Sequence, residues 1–310
     1  MKTKLSAVFL LLLTACIWGF AFVAQVVGGE TVGPFWFNAI RFFIGGVTLI
    51  PVILLFEKDG KAKKSIVAGI AAGAILFTAA NLQNLGINMT GSSGRAGFLT
   101  ALYTILVPFF ARVFFRKHTG RNTLIGALLA ITGLFLLLSG GMASKDTPLV
   151  SAALQIVLAG KALKGSLEIG AGDLVLIACA VAFSAHILFI DRRVQAVSPI
   201  KFSCAQFFTA GFLSFLCALF FEPVTAEGVR AAIIPLLYAG VLSSGVAYTL
   251  QVVGQKNAHP TVAAIVMSSE SMFAVLGGAL LLHERLSPTA YIGCAVMMAG
   301  IVLAQIPNKR

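Results

Sequence analysis

The fold is decided by a stretch that occurs twice, RFFIGG at residues 41–46 and QFFTAG at residues 206–211, which lie 165 positions apart. Three more pairs follow in the same order with nearly the same offset. They are Gly33-Pro34 with Ser198-Pro199, LQNLG at 82–86 with LQVVG at 250–254, and GALLAITG at 126–133 with GCAVMMAG at 293–300. A shared order and a near-constant offset indicate that the chain contains two copies of one unit.

The composition places both copies in a lipid bilayer. The chain of 310 residues is 58% apolar and only 11% charged, whereas soluble domains carry roughly 25% charged residues. Its mean hydropathy is +0.96, and its apolar runs reach the length of about 20 residues that a transmembrane helix needs. The net charge of +12 fits cationic loops at one membrane face better than nucleic-acid binding, because no nucleic-acid-reading motif accompanies it.

Hydropathy and proline positions predict an all-α membrane protein with ten transmembrane helices, because proline is favoured at helix starts. The predicted spans are 5–27, 34–56, 66–87, 95–115, 122–142, 172–190, 199–221, 231–253, 261–282 and 288–306. With the N-terminus inside, 15 lysines and arginines fall on the cytoplasmic side and 6 outside, so we expect both termini in the cytoplasm of a plasma-membrane protein.

Five spans in each copy make the second copy enter the membrane from the opposite side. We therefore expect two inverted five-helix repeats around a central cavity, which is an arrangement of secondary transporters. The first repeat is predicted at residues 1–142 and the second at 172–310. Residues 143–171 form an external linker, in which 148–160 is too short to span and is either an interfacial helix or a re-entrant segment.

Four segments carry a resemblance to a known family: Trp18-Gly19, then Pro34 with Arg41-Phe42, GFLTALYTILVPFFA at 97–111, and LLLHERLSPTAYIG at 280–293. Together they resemble the drug/metabolite transporter superfamily and its EamA-type permeases. The resemblance covers nearly the whole chain. It implies alternating access around a solute cavity and the export of small metabolites, such as amino acids or amine-bearing compounds, with the solute and the bilayer as partners. Whether the chain forms a homodimer stays open.

Two charged residues fall inside predicted spans and are the leading functional candidates. Glu270 lies near the middle of the ninth span, where a carboxylate costs several kcal/mol unless it faces water, protein or a partner. It is predicted to act as a proton relay or as the counter-charge for a substrate amine, and a structural tie to a neighbouring helix is the alternative. Arg41 lies roughly 10 Å below the outer face. Helix packing and a role in substrate binding or gating are both open for it.

Neutral polar and aromatic residues complete the predicted site. Amides and hydroxyls inside a bilayer need partners, and interhelical hydrogen bonding competes with cavity lining for each of them. The residues predicted to line the cavity, besides Glu270, are Asn81, Tyr103, Tyr248, Gln251 and Trp18. His186 is a candidate for proton coupling or gating, because histidine titrates near neutral pH. The alternatives are packing for Trp18 and a structural role for His186.

Other functional classes lack their sequence signatures. No Gly-x-x-x-x-Gly-Lys-Ser/Thr loop is present, so a nucleotide-driven pump is excluded. The four histidines are dispersed and have no metal-ligand spacing, so we expect neither a metal nor a cofactor. An integral-membrane enzyme acting on a lipid phosphate is the main alternative, but it would need acids, histidines or serines clustered near one interface.

Overall fold

The structure is a computed structural model that describes residues 2–29, 31–57, 61–90, 93–117, 119–141, 170–281 and 288–306. Every regular element in those ranges is helical. The elements are α1 Lys2–Gly29, α2 Pro34–Phe56, α3 Ala62–Thr90, α4 Ser93–Thr100, α5 Tyr103–Phe115, α6 Arg121–Gly141, α7 Ala171–Arg193, α8 Pro199–Phe221, α9 Ala226–Ala231, α10 Ile233–Leu237, a π-helix Tyr238–Tyr248, α11 Thr249–Gln255, α12 Pro260–Met267, α13 Glu270–Leu281 and α14 Pro288–Gln305.

Seven stretches in the described ranges are long and apolar enough to cross a membrane. They are Leu5–Gly29, Pro34–Phe56, Ala62–Thr90, Ala171–Arg193, Pro199–Phe221, Ile233–Gln255 and Pro288–Gln305. Shorter apolar helices occur at Tyr103–Phe115 and Arg121–Leu136. Large apolar side chains such as Phe56, Phe109 and Phe220 point outward and are well exposed, which is the surface expected of a protein solvated by lipid.

Two predicted spans agree with the observed helices residue for residue, and two are wrong in one respect. Both α2 and α8 begin at a proline and end where predicted. The spans predicted as continuous at 95–115 and 261–282 are instead interrupted, the first between α4 and α5 and the second between α12 and α13. The span predicted at 231–253 corresponds to the apolar stretch Ile233–Gln255, which contains the π-helix. The predicted linker lies outside the described residues, apart from its last two positions.

Helices α2 and α8 pack against each other through aromatic side chains and run antiparallel. The rings of Phe43 and Phe208 lie 6.2 Å apart between centroids, and these two residues occupy equivalent positions of the sequence repeat. Gly46 packs against Phe208, while Gly211 packs against Phe43. Gly46 and Gly211 are counterparts in the sequence repeat, as are Phe208 and Phe43. The two contacts are therefore equivalent under the repeat.

Helices α6 and α14 form a second antiparallel pair, which is held close by glycine. A Cβ on Gly126 would lie 2.6 Å from the carbonyl oxygen of Gly300, and a Cβ on Gly133 would lie 2.6 Å from that of Gly293. Only glycine lets the two backbones approach this closely. Gly126 and Gly293 are repeat counterparts, as are Gly133 and Gly300, so the two contacts exchange with each other. Contacts that map onto each other in this way are what a two-fold relation between equivalent helices produces.

Carboxylates at the ends of α2 and α8 cap each other's helix. Glu222 follows α8, and its carboxylate accepts hydrogen bonds from the backbone N–H groups of Phe35 and Trp36, at 3.0 Å each, at the start of α2. Glu57 follows α2 and accepts from the N–H groups of Ile200 and Lys201 at 3.4 and 3.2 Å. The two acids, which are also repeat counterparts, thus satisfy amide donors that a helix start leaves unpaired.

Candidate functional site

A central cavity lies between the two halves of the chain. Its free volume is about 30 Å³, which holds one or two water molecules and is too small for an organic solute in this conformation. Side chains from both halves line it, and they include six of the predicted site residues: Trp18, Arg41, Tyr103, Tyr248, Gln251 and Glu270.

Two helices break beside this cavity, at positions related by the repeat. The chain leaves α4 at residues 101–102 and leaves α12 at residues 268–269, and these two pairs of residues are counterparts in the two halves. The backbone N–H of Leu102 donates to the carbonyl of Leu99 at 3.3 Å, and that of Ser269 donates to Val266 at 3.2 Å. These i→i−3 bonds tighten both turns in the same way. Discontinuous helices of this kind form the solute sites of many secondary transporters.

Tyr103 and Glu270 are the first residues after the two breaks, and they meet across the cavity wall. The Tyr103 hydroxyl donates to Glu270 Oε1 at 3.1 Å, and the two residues are themselves repeat counterparts. Glu270 is only 6% exposed. Because Glu270 is the first residue of α13, its carboxylate lies at a helix N-terminus, where the helix dipole favours negative charge. The sequence had predicted a position near the middle of a helix.

Arg41 brings a positive charge to the same cavity. The side chain is 1% exposed, and its Nε and Nη2 atoms have no hydrogen-bond partner among the described residues. Its guanidinium carbon lies 4.7 Å from the ring centroid of the adjacent Phe42. Arg41 and Glu270 do not form a direct salt bridge with each other.

Aromatic side chains line the same cavity. The rings of Trp18 and Tyr248 are 4.6 Å apart between centroids, and the Trp18 indole N–H donates to the Ser243 carbonyl at 3.3 Å. Ser243 and Tyr248 both line the cavity although they are five residues apart. The i→i+5 bonding of the π-helix places them on one side, whereas an α-helix would turn them apart.

Two predicted residues lie outside the cavity lining. Asn81 accepts a hydrogen bond from Asn38 Nδ2 at 2.9 Å and donates to the Ser214 hydroxyl at 2.8 Å, so its amide ties α3 to α2 and α8. His186 lies 3.0 Å from the Gln206 side-chain oxygen through its Nε2. Both groups are buried among neighbouring helices, where such polar side chains find partners.

Four polar lining residues were not among the predicted site residues, namely Gln25, Gln83, Thr100 and Ser243. Gln25 had a detectable signal, because Trp18, Phe22 and Gln25 follow the i, i+4, i+7 spacing of one helix face. Thr100 precedes the first break and could not be placed without knowing that the helix ends there. In the parts of the chain that are described, no group of three or more His, Cys, Asp or Glu residues could hold a metal ion.

These features define a class: a multi-pass helical membrane protein whose duplicated halves enclose a polar cavity between broken helices. The profile of the EamA-like transporter family matches the chain twice, over residues 5–139 and 170–305. The chain therefore belongs to the EamA-like transporter family.

Individual relatives agree with this assignment. An uncharacterized transporter of Archaeoglobus fulgidus is 26% identical over 96% of this chain and 84% of its own length. The uncharacterized transporters YwfM and YoaV of Bacillus subtilis are 23% and 20% identical, over 100% and 93% of this chain and 97% and 92% of their own lengths. A crystal structure with 20% identity has a TM-score of 0.77 and covers 97% of this chain and 96% of its own, which supports the fold.

Proposed function

We propose that this membrane transporter is a secondary active exporter of small metabolites, such as amino acids or amine-bearing compounds, working by alternating access with proton coupling through Glu270. The observation that carries the proposal is the Glu270 carboxylate, which lies at a helix break and lines the cavity between the halves. A buried acid in a membrane protein is costly and is usually retained for function.

The proposal includes ten spans arranged as two inverted repeats, residues 1–142 and 172–310, joined by an external linker at 143–171. It is supported by the antiparallel packing of α2 with α8 and of α6 with α14, whose contacts exchange under the repeat offset. Equivalent helices that run in opposite directions are what an inverted duplication requires. The excess of lysine and arginine on one side favours a plasma-membrane protein with both termini in the cytoplasm.

In this mechanism the two helix breaks are the flexible points. At each break, i→i−3 bonds replace part of the i→i−4 ladder, and α5 and α13 tilt there relative to α4 and α12. Tilting widens the cavity, which at about 30 Å³ is closed to solutes. Glu270 holds either a proton or the cationic group of the solute, and this competition couples their movements in opposite directions.

Purified protein in liposomes tests the proposal. Vesicles are loaded with a solute mixture, a proton gradient is imposed, and efflux of each solute is followed by mass spectrometry. We expect gradient-driven efflux of at least one amino acid or amine, and we expect Glu270→Gln to abolish it or remove its pH dependence. Glu227→Gln is the matched control, because Glu227 is exposed on α9. Undiminished, pH-dependent efflux by Glu270→Gln would remove the basis of the mechanism.

A further inference from the structure

A closed path continues from the cavity towards the membrane face at which α5 and α7 end. On α7, Phe183 and Ile187 line the cavity, and Asp191 follows Ile187 at the same four-residue spacing. Positions four residues apart share one face of a helix. Asp191 therefore lies on the cavity-lining side of α7, about 6 Å beyond Ile187 at 1.5 Å per residue.

Two other helices continue the same path with tightly packed side chains. On α5, Tyr103 lines the cavity and is followed at four-residue spacing by Val107 and Ala111. On α12, Met267 lines the cavity, and Ala263 precedes it by four residues. All five residues belong to one hydrophobic cluster, and the last residue on each helix is 0% exposed. Packing of this density leaves no passage for a solute, so this direction opens only if α5 and α12 move apart.

Polar contacts join the three helices at the end of the closed path. Lys117, which follows α5, donates through Nζ to the carboxylate of Asp191 near the end of α7. The Asp191 side chain is 9% exposed and that of Lys117 is 37% exposed. His259, which caps the start of α12, lies in electrostatic range of both charges. The hydroxyls of Thr119 and Thr261 lie 3.4 Å apart, which adds a second contact between the segment after α5 and the start of α12.

Helix α5 connects the ion pair to the cavity. Its first residue, Tyr103, donates to Glu270 Oε1 at 3.1 Å, and Lys117 lies beyond its other end, roughly 20 Å away at 1.5 Å per residue. A short helix moves as a rigid body about a hinge at its end. Tilting of α5 at the break at residues 101–102 therefore displaces Lys117 relative to Asp191.

We propose that Lys117 and Asp191 form the latch that closes one end of the transport path, and that this end opens between α5, α7 and α12 when the two charges separate. This inference rests on the proposed alternating-access function and assigns to it two positioning residues outside the cavity. The pair stabilises the closed end because a charge-assisted hydrogen bond is made only while the ends of α5 and α7 stay together. In the topology proposed above, this end faces the cytoplasm.

Thiol labelling measures whether the closed end has opened. Ala263→Cys places a thiol in the closed path, and full-length protein in nanodiscs is treated with a membrane-impermeant maleimide. Peptide mass spectrometry then gives the labelling rate at residue 263 separately from the native cysteines. Lys117→Gln and Asp191→Asn, each combined with Ala263→Cys, should raise this rate roughly 10-fold, as expected for losing a partly screened hydrogen bond between charged groups. Lys256→Gln is the matched control, because Lys256 is exposed just after α11, and it should leave the rate unchanged.

Two further measurements separate a latch from general support of the fold. The native Cys179 is 0% exposed and lies 3.9 Å from the Thr100 hydroxyl, on the part of α7 that precedes the cavity-lining residues. Its labelling should stay slow in both variants. Lys117→Arg keeps the positive charge and should keep residue 263 protected.

Three results would overturn the inference. They are an unchanged rate at residue 263 in both neutral variants, an equal rise at Cys179, and labelling of Lys117→Arg as fast as that of Lys117→Gln. If Lys117→Gln does not fold, Asp191→Asn provides the test by itself. If neither folds, the salt concentration is raised around the Ala263→Cys protein, which should speed labelling at residue 263 because salt weakens a partly exposed ion pair.

Failure of this inference can be distinguished from failure of the proposed function. If liposomes show gradient-driven efflux but labelling at residue 263 does not depend on the ion pair, transport stands and the latch is wrong. If labelling responds to the pair as expected but no solute leaves the liposomes under any gradient, the latch stands and the transport proposal is wrong.

Discussion

Removing the reciprocal caps Glu57 and Glu222 should destabilise the protein by separate and additive amounts. An N-terminal cap is worth about 1 kcal/mol, and a negative charge at a helix start adds about 0.3–1 kcal/mol. Glu222 bonds at 3.0 Å and Glu57 at 3.2–3.4 Å. Adding the cap and charge contributions, and discounting the longer bonds, we expect a loss of about 2 kcal/mol for Glu222→Ala and about 1 kcal/mol for Glu57→Ala.

The two caps are far enough apart to be independent. They lie at opposite ends of α2, whose 23 residues span about 35 Å at 1.5 Å per residue. Because distant sites rarely interact by more than about 0.5 kcal/mol, the double variant should lose about 3 kcal/mol, which is the sum of the two single losses.

Denaturant-induced unfolding in detergent micelles, followed by tryptophan fluorescence, measures these losses. Glu227→Ala is the control, because this acid is exposed on α9 and caps neither α2 nor α8. It should change stability by less than about 0.5 kcal/mol, as is usual for surface substitutions. The reasoning is refuted if Glu222→Ala behaves like this control. It is also refuted if the double variant departs from the sum of the single variants by more than two separate sites allow.

Three further predictions concern other parts of the molecule. Gly133→Ala should lower stability by about 1–3 kcal/mol, because the new Cβ would lie 2.3 Å from the backbone of α14. Gly97→Ala is the control and should leave stability unchanged, because its Cβ would lie 3.8 Å from the nearest atom. Thermal melting of both variants measures the difference. Asn81→Ala should lower the melting temperature through lost hydrogen bonds to α2 and α8 yet leave solute selectivity unchanged in the liposome assay. Burial, and secondly Lys117, lower the pKa of His259 in the loop before α12. Folding therefore disfavours its protonation, and stability present above about pH 6.5 is lost as the pH falls below that value. His259→Asn, which keeps an acceptor for the first-turn amide, should lose less in a series of melts from pH 7.5 to 5.

The parts of the fold that local sequence controls were predictable. Pro34 and Pro199 fix the starts of α2 and α8, because proline is favoured in the first turn of a helix, and the apolar run then sets the length. The Arg41 and Glu270 candidates followed from the same logic, since a charge within an apolar run is conspicuous. Both side chains line the central cavity.

The parts that depend on contacts between helices were not predictable in the same way. Residues 101–102 are alanine and leucine, which favour helix, so the first break comes from packing and not from propensity. The π-helix changes only the hydrogen-bond register, which the sequence does not reveal. With the ordinary period of 3.6 residues, Ser243 would not face the same side as Tyr248, and it was therefore not predicted to line the cavity. The two capping acids did have a signal in the sequence, because Glu57 and Glu222 are separated by the same 165 positions as Pro34 and Pro199. That each acid caps the start of the other helix could be recognised only once α2 and α8 were known to pack antiparallel.

The hydrogen bond between Tyr103 and Glu270 joins equivalent positions that differ in chemistry. In a duplicated protein, exchanging the shapes of the two halves would convert an outward-open form into an inward-open form of equal energy if the halves were identical. A phenol on one side and an acid on the other break this equivalence at the centre of the molecule. In the alternating-access mechanism proposed above, the two open forms would therefore differ in energy by an amount that depends on the charge of a single side chain, and a change in proton occupancy would shift the balance between them.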